Sequence, residues 1–265
     1  MRAKMPGKWK LSSRLSLHCR LTPAQRTRWE RASVAVLAVL AVAAIFLLGI
    51  ACLTDWDLQL ADSAFDAKTQ RFPLRHAWLT ESFNHVILKR LFTVVALVFV
   101  LAVLWDLALP RQWNWLRRFQ LRVVALSAVA VPAVIGLLKQ ASGSHCPWDL
   151  QRYGGTAPYI RLFEFLPAGV DPGHCMPAGH ASSALWMISL SVFFIPSRLK
   201  LAAMSLAALL MVGVGVGWLQ QLRGAHFLSH TLWSAWIALL TVFLIITCMD
   251  RAPTRRTITQ APLMA

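Results

Sequence analysis

Six apolar segments, most of them long enough to cross a bilayer, limit what this chain can fold into. They run from Ser33 to Leu53, Leu88 to Leu109, Leu121 to Leu138, Ala181 to Ile195, Leu201 to Leu219 and Phe227 to Met249. A hydrocarbon core takes about 20 apolar residues per helix. Inside it the backbone must satisfy its own polar groups, which selects helices. The fourth segment is short and is expected to be extended at its start by the Gly179–His180 turn. The fold class is therefore all-α, a polytopic membrane protein of six transmembrane helices. Hydrophobic residues make up 57% of the 265, and the mean hydropathy is +0.55. A soluble domain with that surface would aggregate, so residues 33–249 read as one membrane domain. A basic arm, 1–32, precedes it and a short tail, 250–265, follows.

Charge orients the helices. Residues 1–32, 110–122, 197–200 and 250–265 hold 18 of the 27 Lys and Arg, while only 3 of the 11 acidic residues, Glu30, Asp106 and Asp250, lie on that side. The opposite-side segments hold 9 basic and 8 acidic residues. The positive-inside rule then places both termini in the cytoplasm of a bacterial inner membrane. Topology accounts for the basic arm, which is expected to touch anionic headgroups rather than nucleic acid. The polar lead of 32 residues is too long for a signal peptide's n-region, so a retained first helix is expected.

With that orientation the histidines become informative. Of eight, only His18 is cytoplasmic; His76, His85, His145, His174, His180, His226 and His230 fall on the other side or at the outer ends of spans. Polar residues at membrane depth are costly and tend to serve function, so a periplasm-facing reaction site is expected. Two stretches stand out: Pro177-Ala178-Gly179-His180 and Gly224-Ala225-His226-Phe227-Leu228-Ser229-His230. Each sets a histidine after a small-residue turn at the mouth of an apolar segment. A helix start offers free N–H groups and a positive dipole end to a phosphate. One imidazole can attack phosphorus while the other protonates the leaving oxygen. The plainer reading is two histidines at headgroup level, and the presence of Lys139 near Cys146-Pro147 favours chemistry.

These residues resemble the type 2 phosphatidic acid phosphatase (PAP2) family of membrane lipid phosphatases, over roughly residues 30–250. That family has six transmembrane helices and three motifs, KxxxxxxRP, PSGH and SRxxxxxHxxxD. Lys139 and Pro147 match the first, with Cys146 at the arginine position. Pro177-Ala178-Gly179-His180 matches the second except that Ala178 replaces serine. In many members the third motif includes Gly-x-His-Phe-x-Ser-Asp, matched here up to His230, which stands where aspartate is expected. The expected arginine six residues before His226 is Gln220, while Arg223 stands three before it.

The resemblance implies His226 as nucleophile, His180 as general acid and His230 as the partner that orients the nucleophile. A competing register makes His230 the nucleophile, with Ser234 in the aspartate position. A neutral His230 can orient a ring but brings no negative charge to the imidazolium that develops. Lys139, Arg223, the backbone at Ala178 and Gly179, and His145 in place of the absent arginine are the implied phosphate-binding groups. A cysteine cannot supply a guanidinium fork. The implied mechanism runs through a phosphohistidine and calls for no metal and no cofactor. The expected substrate is a lipid phosphate or diphosphate taken from the membrane. Alternatives are a lipid phosphotransferase with the same residues and a non-catalytic relative that binds or moves a phospholipid. The sequence leaves oligomeric state open.

The family fold would also bring Cys146 and Cys175 together on the oxidising side. A disulfide there closes a loop of about 30 residues, worth roughly 3 kcal/mol by loop entropy. A His/Cys metal site built from His145-Cys146 and His174-Cys175 is the alternative, and two unpaired thiols the third reading. Asp55, Asp57, Asp62 and Asp66 alternate with Trp56, Leu60, Ala64 and Phe65, which suits a short helix on the membrane surface. Arg152, Tyr153, Arg161 and Glu164 are placed over the pocket as headgroup readers. His85, Lys89 and Arg90 read as interface anchors, with supply of the missing phosphate-binding cation as the alternative. Gly213, Gly215 and Gly217 suggest close helix packing.

Overall fold

The computed structural model describes residues 22–109 and 113–251. Most of the basic arm, with His18 and Cys19, and nearly all of the tail lie outside the described residues. Helix α1 covers Pro23–Leu53 and opens on a capping box. Gln25 N donates to Thr22 Oγ1 at 3.3 Å, and Thr22 N donates to the Gln25 side chain at 3.0 Å. A short helix α2, Trp56–Ala64, follows. A π-helical stretch, Leu79–Leu88, runs directly into α3, Lys89–Ala108. Helix α4 is Trp115–Gln140, started by Asn114 Oδ1 accepting from Arg117 N at 2.8 Å. Helix α5, Gly179–Leu185, continues as a 3-10 segment, Trp186–Phe194. Helices α6, Leu199–Leu222, and α7, Leu228–Arg251, complete the described residues.

The protein is an all-α polytopic membrane protein. Among the described residues five helices are long and apolar enough to cross a bilayer, and Gly179–Phe194 is a shorter apolar helix at the position of the fourth expected span. The core lies where α4, α5 with its 3-10 continuation, α6 and α7 meet. It is filled by Phe119, Val123, Val131 and Ile135 from α4, Leu185, Trp186 and Ile188 from the α5 segment, Val216 from α6 and Ala238 from α7. Val39, Val42 and Ile45 of α1 and Leu97, Leu101 and Leu104 of α3 are exposed. In a bilayer that outward apolar surface is solvated by lipid.

Glycines set the closest approaches. A Cβ on Gly213 would meet Leu185, and one on Gly217 would meet Thr231, so α6 lies directly against α5 and α7. Gly215 faces open space, so only two of the three glycines serve packing. Charged groups are paired at one end of the bundle. Trp29 Nε1 donates to Asp250 at 3.2 Å, and Arg118 pairs with the buried Asp106 at 3.1 Å. All the conspicuous histidines lie at or beyond the other end.

Two elements differ from the sequence reading. The helix leading into α3 starts at Leu79, nine residues before the apolar run at Leu88. Its polar residues face protein: Asn84 Nδ2 donates to the Val216 carbonyl at 3.0 Å, and the Thr80 carbonyl accepts from Gln220 at 3.2 Å. Helix α2 is anchored to protein on its acidic side, with Asp57 only 4% exposed beneath the start of α7.

Candidate active site

Six chain segments converge at the histidine-bearing end of the bundle. The outer loop after α4 folds back on itself. Gly173 and His174 donate from their backbone to Gly143 and Ser142 at 3.2 and 3.1 Å, and Cys175 N donates to Ser144 at 2.8 Å. That pairing brings Cys146 and Cys175 to a Cα separation of 5.3 Å, with their sulfurs bonded. Trp148 N donates to the Gly224 carbonyl at 3.0 Å and fastens the loop to the turn before α7. Gly224 has a positive φ of 77°, and the Phe72 ring occupies the place a Cβ would take. Only glycine meets both conditions at low cost.

The starts of α5 and α7 are tied together. Ala178 N donates to the His230 carbonyl at 3.1 Å, and Ser234 Oγ donates to the carbonyls of Ala178 and His230 at 3.1 and 2.9 Å. The Ala178 N–H is thus already engaged, so the N–H groups left free by helix geometry belong to Gly179, His180 and Ala181. Lys139, in the last turn of α4, brings Nζ to 3.8 Å from the Cβ position of Gly179. The ammonium therefore sits beside that helix start.

His180 faces His85, a residue expected from sequence to anchor the chain at the interface. Its ring stacks on His85, with 3.6 Å between centres and 25° between planes, and its Nε2 is 3.4 Å from the His85 carbonyl oxygen. His226 is 5% exposed, and its Nδ1 lies 3.4 Å from Cys175 Sγ. Burial drives this imidazole well below its ordinary pKa; His230, Lys139 and His180 push the same way, and the Cys175 backbone opposes them. The ring is neutral at neutral pH. His230 lies 5.8 Å from His226, centre to centre and edge-on. Its Nε2 meets Ser144 Oγ at 3.1 Å, while its buried Nδ1 has no hydrogen-bond partner among the described residues.

Arg223 ends α6 and is 6% exposed. One terminal nitrogen donates to Glu81 at 3.4 Å, the other to the Gln220 side chain at 3.5 Å, and Nε has no partner among the described residues. Its guanidinium lies 5.5 Å from the Trp148 ring centre, with Arg75 at 4.7 Å from the same ring. Burial lowers its pKa, Glu81 opposing and Arg75 adding to the effect, but an arginine stays charged. Gln220 occupies the expected arginine position and holds the arginine one turn later.

Of the expected site residues, His180, His226, His230, Lys139, Gly179 and Arg223 come together at this end. His145 is linked elsewhere: its Nε2 meets the Asp171 carbonyl at 3.0 Å. The expected headgroup readers are engaged in holding the loop on α2. Arg152 grips Asp62 with two hydrogen bonds, 2.8 and 2.6 Å, and Tyr153 donates to the same carboxylate at 2.9 Å. Arg161 pairs with Asp55 at 2.5 Å, and Glu164 accepts from Arg161 N at 2.7 Å. Asp57 accepts from Ser229 N at 2.9 Å and from its hydroxyl, which caps α7. The Cys146 and Cys175 sulfurs and a His226 ring nitrogen lie within 4.8 Å of one another. Bridged sulfurs are not thiolates, and a thiolate is the form that ligates a metal.

The sequence profile of the PAP2 superfamily matches residues 120–253, half of the chain. The chain belongs to the PAP2 superfamily. The match takes in α4 to α7, and therefore every motif histidine, Lys139 and Arg223. It leaves out the segment that carries Glu81 and His85, which in this PAP2 protein contact Arg223 and His180. Membership makes it a membrane-associated phosphatase-family protein for phosphate esters. Comparisons with curated proteins and with solved structures returned no match.

Proposed function

We propose that this PAP2 protein is a six-helix lipid phosphatase of a bacterial inner membrane that removes a phosphate or diphosphate group at the periplasmic face through a phosphohistidine. The observation that carries the reading is the meeting of Lys139 from α4, His180 from α5 and His226 from the turn before α7 around one helix start. His226 Nδ1 faces Cys175, which leaves Nε2 as the attacking nitrogen. His180 protonates the leaving oxygen and then takes the proton from the water that hydrolyses the intermediate. Lys139, Arg223 and the N–H groups of Gly179 and His180 offset the charge on the equatorial oxygens. These groups supply the positive charge that a metal supplies in other phosphatases.

The register with His226 as nucleophile is favoured over that with His230. Ser234, the aspartate equivalent in the second register, gives its hydroxyl to two backbone carbonyls, and His230 Nε2 meets Ser144. The lipid substrate follows from where the site lies, at the ends of apolar helices. Positive-inside charge supports a periplasmic position for that end. Phosphate release by the purified protein from phosphatidic acid, phosphatidylglycerol phosphate, an isoprenoid diphosphate and a lipid A phosphate tests the reading. Release from at least one, abolished in His226→Ala, is expected. Lipid binding without release would identify a non-catalytic relative, and transfer to a second lipid a phosphotransferase.

A further inference from the structure

We propose that Cys175 is a positioning residue for His226: its bridged sulfur holds the nucleophile in the tautomer with Nε2 free, so that opening the Cys146–Cys175 bond silences the enzyme near neutral pH. The inference rests on the assignment of His226 as nucleophile.

The contact is direct. Cys175 is fully buried, and its Sγ lies 3.4 Å from His226 Nδ1 and 3.3 Å from the Ala225 carbonyl oxygen. A bridged sulfur has no proton and can only accept. The contact therefore favours a proton on Nδ1, which leaves the lone pair on Nε2. An aspartate would impose the same tautomer, but here the aspartate position is held by His230, whose Nε2 faces Ser144.

Reduction changes the sulfur's role. A dithiol gives two electrons and two protons, the S–S bond breaks, each cysteine gains S–H, and the dithiol becomes a disulfide. The new Cys175 thiol is a donor beside Nδ1. An imidazole nitrogen is a much stronger proton acceptor than the Ala225 carbonyl, so the thiol proton is directed at Nδ1. Whether it stays on sulfur or crosses to the ring, Nε2 then carries a proton and cannot attack. As pH rises, the thiol–imidazole pair loses one proton. A thiolate accepting from Nδ1–H again leaves Nε2 free, now with a negative charge where the family has aspartate. The other groups facing His226 are Lys139 from α4, His180 from α5 and His230 on α7. Nearby are His85 stacked on His180, Arg223 with Glu81 beyond α6, and Asp57 of α2 against Ser229. The Lys139 ammonium, which also acts on His226, favours the thiolate.

The test uses full-length protein in detergent, with a chelator present, assayed for phosphate release with and without dithiothreitol from pH 6 to 10 while free thiols are counted. Reduced protein is expected to lose on the order of tenfold in kcat near pH 7, the direction of a wrong-tautomer defect, and to recover as the thiol ionises, around its ordinary pKa of roughly 8.5. Cys146→Ser, which leaves Cys175 as a free thiol, should show the same profile without reductant. Cys146→Ser/Cys175→Ala, which has no titrating sulfur, should be insensitive to reductant and show no alkaline recovery. If thiols appear and activity does not change, the proposal is overturned. Equal losses at every pH in reduced protein and in both variants would also overturn it and leave the bridge merely structural. His226→Ala in the same assay separates the two levels: full activity there refutes the nucleophile itself, whatever the reductant does.

Discussion

The imidazoles of His85 and His180 lie face to face, 3.6 Å apart between ring centres, although 95 residues separate them. The stack joins the π-helical approach to α3 with the start of α5, and so places a residue from outside the matched PAP2 region against the proposed general acid. π-helical turns are rare and often mark functional sites. His85→Ala should lower kcat by about tenfold with little change in KM, because a misplaced acid affects the transition state more than binding. His85→Phe keeps an aromatic face and should retain most of the activity. Steady-state kinetics of the two variants check this, and equal losses in both would argue for a role of the imidazole nitrogens.

Arg223 is fixed by Glu81 and Gln220 and keeps Nε unpartnered in a buried position. If it binds the phosphate, Arg223→Lys should lose activity by roughly tenfold or more, because an ammonium cannot reproduce a bidentate fork. Comparing kcat/KM on one lipid phosphate checks it. Indifference to the change would return the role to Lys139 alone.

The depressed pKa of His226 fixes two pH responses. A neutral buried ring stabilises the fold fully above its unfolded pKa, about 6.5, and that contribution is lost as pH falls and the unfolded chain takes up the proton. Thermal stability in detergent should therefore decline below about pH 6.5. Activity should persist into that range, since His226 itself stays unprotonated. A pH series of melting curves beside kcat measurements tests both, and an activity loss that begins near pH 6.5 would place the nucleophile in a more solvated setting.

Gly217→Ala should destabilise the bundle by about 1–3 kcal/mol, the usual cost of overpacking. Its Cβ would meet Thr231, which is fully buried one residue after His230. Gly215→Ala, facing open space, is the control and should be near neutral in thermal unfolding.

The apolar runs and the paired histidine motifs were legible in the sequence because each is a local pattern: bilayer length for the helices, a small-residue turn before histidine for the site. The rest depends on partners far away in the chain. Thr80, Asn84 and His85 hid a helix start, since polar residues break an apolar run even when they face protein. Asp57 reads as one of four aspartates on a surface helix, and nothing local marks Ser229 of α7 as its partner. Arg152 and Arg161 read as headgroup contacts because nothing local marked Asp62 and Asp55 as their partners. The pairing of Cys146 with Cys175 followed from the family resemblance and reappears in the structure. The contact of Cys175 with His226 had no sequence signal.

The central claim is that His226 forms the covalent intermediate, and rapid quenching tests it most directly. Protein mixed with a radiolabelled lipid phosphate and stopped in alkali should carry acid-labile label on a peptide containing His226. His226→Ala should carry none, and His180→Ala should turn over more slowly by orders of magnitude. Label on His230 or His180, or undiminished turnover by His226→Ala, would contradict the account.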